Sequence, residues 1–456
     1  MTPHISDPPL RQQPRVSQPL PERPARFSKA GIVSFLVLIS LLLFLFTGLI
    51  VSSFPQIHQA SPGSPTPTAT QDQDSASTPI LTPNNKKIPM LQLPGGHSII
   101  YEQQNNLYMV STSGGLPQLL PTPGYAYSEA VRPLLTPTGQ LLYAGNGLWL
   151  ADIFSGTSTQ VAALAPDRMI TSMAISNDGT TVAWSTESID GNGSTDIYAG
   201  SLVDPGLVYQ QIDAGCPCFR VFSFMNGKQG DTTLLLTDSQ GSHEGVQYGL
   251  WSLDLTAPAP VVPRPLLDEN SLQGPLALAP HGNILLYSPA EGVVPYPTDA
   301  SIPADIAALT YANSLNLATL GVQPPTMSTS QVVLPGQRNL SNSAAYHWVT
   351  TPMFTPDAHT VVYVEFSSDS QAPFDRHSAL YTVQISGSGH AAKPRLLATS
   401  SALLIELGAW FNDHIVTFYA DGALYALDIH TGAVTAILQT ATYAHIIATV
   451  DTNQLL

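Results

Sequence analysis

One short segment has the residue types and spacing to bind a calcium ion. Side-chain oxygens recur at every second residue, in Asp190, Asn192, Ser194 and Asp196, and loops that wrap Ca²⁺ arrange their ligands in this way. The match is incomplete, because position six of the loop is Thr195 rather than Gly and position twelve is Ser201 rather than Glu. A hairpin turn explains the same residues, so we predict no cofactor and no metal, with calcium at these four residues as the alternative.

Other catalytic motifs are incomplete or missing in the sequence. His243 and Glu244 begin an H-E-x-x-H zinc-protease motif, but residue 247 is Gln, so the second histidine is missing. The sequence contains no G-x-S-x-G elbow, P-loop, dinucleotide fingerprint or C-x-x-C pair. Cys216 and Cys218 are two residues apart, and in an extended segment their Cα atoms lie roughly 6–7 Å apart, at the limit for a disulfide. We expect a structural cysteine pair and leave its oxidation state open.

Further candidate residues lie in four long connections between apolar runs, at about residues 186–196, 238–248, 289–312 and 367–378. Their candidate ligand-binding side chains are Asp190, Asn192, Asp196, Asp238, His243, Glu244, Glu291, Asp299, Asp369, Asp375, Arg376 and His377. If these connections emerge on one side of the fold, they form an acidic surface for a cationic or polyhydroxylated ligand or a partner protein. The competing interpretation is that they are ordinary solvated loops of an acidic domain.

Charged residues are scarce and unevenly distributed along the chain. They make up 11% of the 456 residues, against roughly a quarter in soluble domains, and the net charge is −16. Residues 1–30, a proline-rich tail that we predict to be disordered, carry +3, so the remainder carries −19. Beyond residue 88, 28 acidic residues stand against nine basic ones, a balance that repels nucleic acid and anionic lipid.

Residues 31–54 are predicted to form a single transmembrane helix. The apolar run 32–51 is twenty residues long, and at about 1.5 Å per residue its helix spans roughly 30 Å, one hydrocarbon core. A cleaved signal peptide is the alternative, but its apolar region usually has about 7–15 residues and ends in a small-x-small site, which this sequence lacks. Five basic residues before the helix predict a cytoplasmic N-terminus and an extracytoplasmic C-terminal bulk at the cell membrane.

Residues 55–88 are predicted to form an extended linker. They contain six prolines and nine Ser or Thr residues, with almost no apolar surface to bury. At about 3.1 Å per residue, a polyproline-like linker holds the following domain up to roughly 100 Å from the bilayer.

Residues 89–456 contain a repeat that predicts an all-β fold. An apolar residue, followed by an aromatic one in six of seven cases, recurs at Leu107-Tyr108, Leu148-Trp149, Ile197-Tyr198, Leu250-Trp251, Leu315-Asn316, Leu380-Tyr381 and Leu424-Tyr425. Turn signals and a second apolar run precede most of these pairs, and a short third run follows them, as in antiparallel hairpins. Seven units of four short strands predict a seven-bladed β-propeller, and the irregular fourth and fifth units leave six or eight blades open.

The ends of the repeat region offer a way to close the ring. The first unit has three obvious strands, whereas residues 443–450 form a spare apolar run after the seventh unit. Pairing this run with the first unit removes the last free edge.

Two stretches resemble a known propeller repeat. Residues 175–184, with Ser176-Asn-Asp-Gly, and residues 190–198, ending in Asp196-Ile-Tyr, resemble the blade of TolB-type, WD-like propellers over residues 95–450. TolB itself has a separate domain before its propeller, where this chain has the predicted anchor and linker, so a role in the Tol system does not follow. The class includes binding modules, scaffolds and non-catalytic peptidase propellers, so the resemblance implies the fold more than the function.

The sequence thus predicts a membrane-anchored extracytoplasmic propeller that acts as a non-catalytic binding or scaffold module. Its expected partner, besides the membrane, is a protein or a glycan and not a nucleic acid. The alternative is a carbohydrate-active or other hydrolytic enzyme with carboxylates in the central funnel.

Overall fold

The chain folds into a seven-bladed β-propeller, as its repeat predicts. The computed structural model describes residues 91–93, 95–128, 131–190, 194–211, 217–225, 232–238, 247–258, 261–267, 272–280, 283–289, 314–322, 325–335, 346–368, 376–385, 393–400 and 405–452. All of them belong to the second of the two units into which the chain divides, Ala76–Leu456. The predicted tail, anchor and linker, residues 1–88, lie outside the described residues.

Each of the first three blades is a four-stranded antiparallel sheet. Blade 1 consists of β1 (His97–Gln103), β2 (Asn106–Ser111), β3 (Gln118–Leu119) and the last strand of the chain, β28 (His445–Asp451). Blade 2 consists of β4 (Leu134–Leu135), β5 (Gln140–Ala144), β6 (Gly147–Asp152) and β7 (Thr157–Ala163). Blade 3 consists of β8 (Arg168–Ile175), β9 (Thr181–Ser188), β10 (Thr195–Ser201) and β11 (Pro205–Gln210).

Blades 4 and 5 are joined by a short strand pairing into one eight-stranded sheet, in which Gln247 lies opposite Gly274. Blade 4 consists of β12 (Phe219–Phe224), β13 (Thr233–Asp238), β14 (Gln247–Asp254) and β15 (Arg264–Leu267). Blade 5 consists of β16 (Leu272–Leu278), β17 (Ile284–Pro289), β18 (Leu315–Val322) and β19 (Pro325–Leu334). This junction coincides with the two units whose sequence repeat is irregular.

Blades 6 and 7 are again separate four-stranded sheets. Blade 6 consists of β20 (Tyr346–Phe354), β21 (Thr360–Ser368), β22 (Arg376–Gln384) and β23 (Arg395–Ser400). Blade 7 consists of β24 (Glu406–Trp410), β25 (Ile415–Ala420), β26 (Ala423–Asp428) and β27 (Val434–Gln439). The first strands of neighbouring blades contact one another, for example β8 and β12. In blade 1 the corresponding strand is β28, which contacts β24. These strands are therefore the innermost ones.

The repeated aromatic residues form pairs between the second and third strands of the blades. Tyr101 lies opposite Tyr108, and Trp184 opposite Tyr198, with ring centroids 5.5 and 5.0 Å apart. In the irregular blade 5, Tyr287 faces Asn316 instead. Such cross-strand pairs stabilise a sheet and fix its register.

The two faces of the propeller carry different connections. The loop face, as we name it, carries the connections between second and third strands and those from one blade to the next; the turn face carries the remaining turns. On the loop face the second and third strands of blades 1, 2 and 7 are joined by two residues, whereas residues 189–194, 239–246, 290–314 and 369–375 join them in blades 3 to 6. The predicted difference between tight and long connections is therefore confirmed.

Several aspartates on the turn face serve the turns themselves. The Oδ1 atoms of Asp152, Asp178, Asp357 and Asp428 each accept a hydrogen bond from the backbone N–H two residues later. Hydrogen bonds to the carboxylate lower the pKa of Asp152, Asp178 and Asp357. Part of the negative charge of the chain thus comes from aspartates that stabilise its turns.

The last strand closes the ring. β28 pairs antiparallel with β1 on the side away from β2, with Ser98 opposite Val450 and Glu102 opposite His445. Ile446 and Val450 of β28 are buried. The spare apolar run predicted at residues 443–450 therefore completes blade 1 as its innermost strand.

Within the described residues, no helix has the length and apolar character needed to cross a membrane. The segment predicted to do so, residues 31–54, lies outside them.

Deleting residues 443–456 should unfold the propeller. The deletion removes the buried side chains of Ile446 and Val450, whose burial contributes about 1.5–3 kcal/mol each. This is a large part of a typical stability of about 5–15 kcal/mol. The deletion also leaves one edge of β1 unpaired. We expect the cooperative thermal transition to be lost. Deleting only residues 453–456, which follow β28, is the matched control and should leave the transition unchanged. An unaltered transition in the longer deletion contradicts the closure.

Candidate functional site

Charged side chains gather on the loop face at the ends of the inner strands. Strand pairing places the start of each first strand beside the end of the second, so Arg168 lies opposite Ser188 and Phe219 opposite Asp238. Two groups of ionisable residues result, which we call the closure cluster and the blade 3–4 cluster.

The closure cluster surrounds the carboxylate of Glu406 at the start of β24. One of its oxygens lies 2.7 Å from the guanidinium of Arg132 and the other 3.1 Å from Nδ1 of His445. The hydroxyl of Tyr443 also donates a hydrogen bond to Glu406. Glu406, only 5% exposed, therefore connects blade 7 with the closing strand and with the segment that leads into blade 2.

Aromatic rings hold the imidazole of His445 in place. Tyr127 stacks on it with centroids 4.4 Å apart, and Tyr443 contacts it edge-on at 4.7 Å. Nδ1 makes the hydrogen bonds to Glu406 and Tyr127, whereas no described residue bonds to Nε2. The carboxylate thus orients the ring and leaves its second nitrogen available.

Glu102 lies beside His445 on the neighbouring strand and is also buried. Its Oε1 accepts a hydrogen bond from the backbone N–H of Asn105 at 2.7 Å. Burial raises the pKa of Glu102, and the negative charge of Glu406 adds to this, although Asn105 and His445 act in the opposite direction.

Glu406 shifts the other way. Burial alone would raise its pKa, but the hydrogen bond from His445 and the charge of Arg132, with further help from Tyr443, hold the pKa below its usual value. Two neighbouring carboxyl groups therefore differ in acidity because only Glu406 has the guanidinium of Arg132 and a hydrogen-bonding imidazole in direct contact.

The blade 3–4 cluster joins β8, β9, β10, β12 and β13. Arg168 contacts Asp196 at 2.7 Å and donates its other hydrogen bonds to Thr186 and Ser194. These contacts neutralise the charge of Arg168 and use its whole guanidinium.

Arg220 lies between carboxylates from two blades. Its Nε is 3.9 Å from Oε1 of Glu187, too far for a hydrogen bond, and both atoms are buried without a hydrogen-bond partner among the described residues. Burial lowers the pKa of Arg220, while Glu187 and Asp238 act against this shift. The side chains of Arg220 and Glu187 are each 19% exposed, so this cluster reaches the surface.

A cavity of about 340 Å³ opens between the two clusters on the loop face. It is lined by the segment before blade 2, the turn at 144–146, residues 164–166 and the start of β8. Arg168 borders both the cavity and the blade 3–4 cluster.

Two of the sequence-predicted ligand residues lie beside arginines. Asp196 contacts Arg168 at 2.7 Å, whereas Asp238 interacts electrostatically with Arg220 and accepts a hydrogen bond from the N–H of Cys218. Asp190 accepts a hydrogen bond from Ser188. Residues Arg376 and His377 begin β22 at the loop-face end of blade 6. The other predicted residues, which lie outside the described ones, are Asn192, His243, Glu244, Glu291, Asp299, Asp369 and Asp375.

Two of the four calcium-candidate residues contact Arg168. Its guanidinium contacts Asp196 and Ser194, and the described residues contain no group of three or more His, Cys, Asp or Glu placed to hold a metal. Calcium binding by the whole segment stays a prediction because Asn192 lies outside the described residues.

Cys218 is disulfide-bonded. The Cα atoms of two cysteines with this spacing lie at the limit for a bridge only in a fully extended chain, and any bend shortens the distance between them.

No motif in the sequence predicted the closure cluster. Glu102, Arg132, Glu406 and His445 lie far apart in sequence and match no motif. A signal was present, since Glu102 and Glu406 are charged residues at the ends of otherwise apolar strands in a chain with few charges.

Comparisons with known proteins concern the fold. No protein-family model and no curated protein matches the chain, so membership of a TolB-type family stays a hypothesis. Among solved structures, the chain is similar to the periplasmic gluconolactonase of Pseudomonas aeruginosa, with 13% identity, coverage of 77% of this chain and 98% of the other, and a TM-score of 0.46. It is also similar to the tricorn protease, with 11% identity, 78% and 36% coverage and a TM-score of 0.48. For an oligogalacturonate lyase from Vibrio parahaemolyticus the values are 10%, 74% and 90%, and 0.45.

The opposite pKa shifts predict opposite pH dependence for two variants. The raised pKa of Glu102 means that its contribution to stability is complete below about pH 4.5 and is lost as the pH rises through the folded-state pKa. Glu102→Gln keeps an acceptor for Asn105 and cannot ionise. In urea unfolding at pH 4.5 and pH 8, we expect the variant to gain stability relative to the wild type as the pH rises.

Glu406→Gln is the matched comparison. The lowered pKa of Glu406 gives stability above about pH 4.5 that is lost as the pH falls through the folded-state pKa. Because Arg132 is 33% exposed, the loss should be smaller than the about 3–5 kcal/mol of a fully buried ion pair, and this variant should be destabilised most at pH 8. Parallel pH profiles for the two variants contradict the assignment.

Proposed function

We propose that the protein is a non-catalytic binding module that takes its ligand on the loop face. The observation that carries this proposal is the blade 3–4 cluster, where Arg220 and Glu187 come together from different blades and remain partly exposed. Nε of Arg220 and Oε1 of Glu187 are buried and do not hydrogen-bond to each other, so a ligand would bind through the exposed parts of the two side chains, 19% of each.

The chemistry of this pair favours hydroxyl groups. A hydroxyl accepts a hydrogen bond from a guanidinium and donates one to a carboxylate, so a polyhydroxylated ligand such as a glycan, or hydroxyl side chains of a partner protein, suit Arg220 and Glu187. The acidic balance beyond residue 88 disfavours nucleic acid as a partner.

The proposal includes a location at the cell membrane. The apolar run 32–51 and the basic residues before it support a single-pass anchor with a cytoplasmic N-terminus, followed by the linker 55–88 and an extracytoplasmic propeller.

The location can be tested by protease treatment of intact cells or spheroplasts. We expect added protease to reduce the amount of full-length chain and to leave a short membrane-bound N-terminal fragment. Deleting residues 31–54 should move the propeller out of the membrane fraction. A full-length chain protected until the membrane is dissolved contradicts the orientation.

A hydrolytic enzyme is the alternative, and the closure cluster favours it. Glu102 and Glu406 have pKa values displaced in opposite directions, a pattern by which a protein separates an acid from a base. Glu102 would donate a proton, and His445, oriented through Nδ1 by Glu406, would accept one at Nε2. The 3–6% exposure of these three side chains leaves little access for a substrate, so we rank binding first.

A glycan array combined with a panel of chromogenic glycosides separates the two functions. We expect the full-length protein in detergent to bind array glycans and to turn over none of the glycosides. Arg220→Lys keeps the charge but loses the planar fork, and it should weaken binding by about tenfold, the effect of roughly 1.4 kcal/mol.

The control is Arg395→Lys, since Arg395 donates to the backbone oxygen of His430 near the turn face. This variant should bind as the wild type does. Glycoside turnover that disappears in Glu102→Gln overturns the binding proposal in favour of the enzyme.

A further inference from the structure

The cavity between blades 2 and 3 has a wall that is mainly apolar. Val131 forms part of its floor, Leu164 and Ile170 are partly buried beside it, and Met169 is 45% exposed although it lies on an innermost strand. Its volume of about 340 Å³ falls within the range of about 300–1,000 Å³ that is usual for small-molecule sites.

The described lining of the cavity offers no uncompensated charge. Arg168 is the one charged residue in its described lining, and the guanidinium is turned to Thr186, Ser194 and Asp196, with Asp196 at 2.7 Å. A charged ligand would therefore lose its hydration without gaining a partner of opposite sign.

The polar groups of the wall are few and specific. Asn146 uses Oδ1 to accept a hydrogen bond from the indole of Trp149 at 3.0 Å, and no described residue accepts from its amide nitrogen. This amide and the hydroxyl of Ser128 can donate to a ligand. The lining contains no aromatic ring on which a sugar could stack.

We infer that this cavity binds an uncharged, mainly apolar small molecule that carries a hydrogen-bond acceptor such as a carbonyl oxygen. Apolar burial supplies the affinity and Asn146 fixes the orientation of the acceptor. The inference rests on the proposed function only in placing binding on the loop face, since the glycan site uses Arg220 and Glu187 instead.

The turn at residues 144–146 shapes the cavity by packing closely. A Cβ atom on Gly145 would lie 2.5 Å from the backbone oxygen of Gly124, so only glycine lets the turn approach that segment. The position of Asn146 is therefore set by backbone packing and does not depend on a bound ligand.

The test uses prodan, a neutral naphthalene ketone whose emission moves to the blue in apolar surroundings. Ala165 lines the cavity and is exposed, so Ala165→Trp should fill it and weaken prodan binding to the full-length protein at least tenfold. Ala163→Trp is the matched control, because Ala163 is exposed two residues earlier at the end of β7 and does not line the cavity. Any binding to residues 31–54 is common to all the proteins compared.

A second variant keeps the test decisive if Ala165→Trp unfolds. Asn146→Asp keeps the acceptor for Trp149 and removes the amide donor, so prodan affinity should fall about tenfold, equivalent to roughly 1.4 kcal/mol. Equal prodan binding by the wild type and both cavity variants overturns the inference. The inference is also overturned if the anionic dye 1-anilinonaphthalene-8-sulfonate binds as tightly as prodan and Ala165→Trp abolishes its binding. Glycan binding should be unchanged by these variants, so failure here is distinguishable from failure of the proposed function.

Discussion

The pairing of β28 with β1 is the interaction on which the rest of the molecule depends. A propeller blade packs both faces against its neighbours, so an open ring leaves two blades with an uncovered face. The end of the chain supplies the innermost strand of blade 1. This strand covers both of these faces and leaves β1 hydrogen-bonded on each side. The same pairing carries His445 to Glu102, so the closure cluster exists only in the closed ring.

The two clusters on the loop face differ in how completely they are satisfied. Glu406 has three partners from two parts of the chain and is almost fully buried, which suits a group that ties blades together. Nε of Arg220 and Oε1 of Glu187 are 3.9 Å apart, and neither has a hydrogen-bond partner among the described residues. Both side chains are 19% exposed. Buried polar groups left unsatisfied are costly, so the incomplete cluster is the better place to expect a ligand.

The sequence was sufficient for the fold because the repeat has a simple physical origin. In blades 1, 2, 3, 6 and 7 the apolar–aromatic pair lies on the third strand, opposite an upstream aromatic on the second, as Tyr381 lies opposite Tyr363. Turn signals and the two-residue period of strands then determine the hairpins. The same spacing of the repeat predicted which connections are tight and which are long.

The candidate site was less predictable because it is assembled by ring closure and not by a motif. Glu406 and Arg132 lie more than 270 residues apart along the chain, and only the circular arrangement brings blade 7 next to the segment before blade 2. Asp196 and Asp238 were predicted from their long connections, whereas Arg168 and Arg220 beside them lie on inner strands. The disulfide of Cys218 was left open because the two cysteines are at the limit for a bridge in a fully extended chain.

The position of β1 has a mechanical consequence. The described chain enters the propeller at the turn face, where the N–H of Thr452 donates to the carbonyl oxygen of Gly96, and β1 then runs between β28 and β2. Tension directed along the axis of β1 acts against hydrogen bonds on both sides of the strand. Those bonds share the load in shear and do not open one at a time, so the strand that receives the chain is also the one best placed to resist being pulled out.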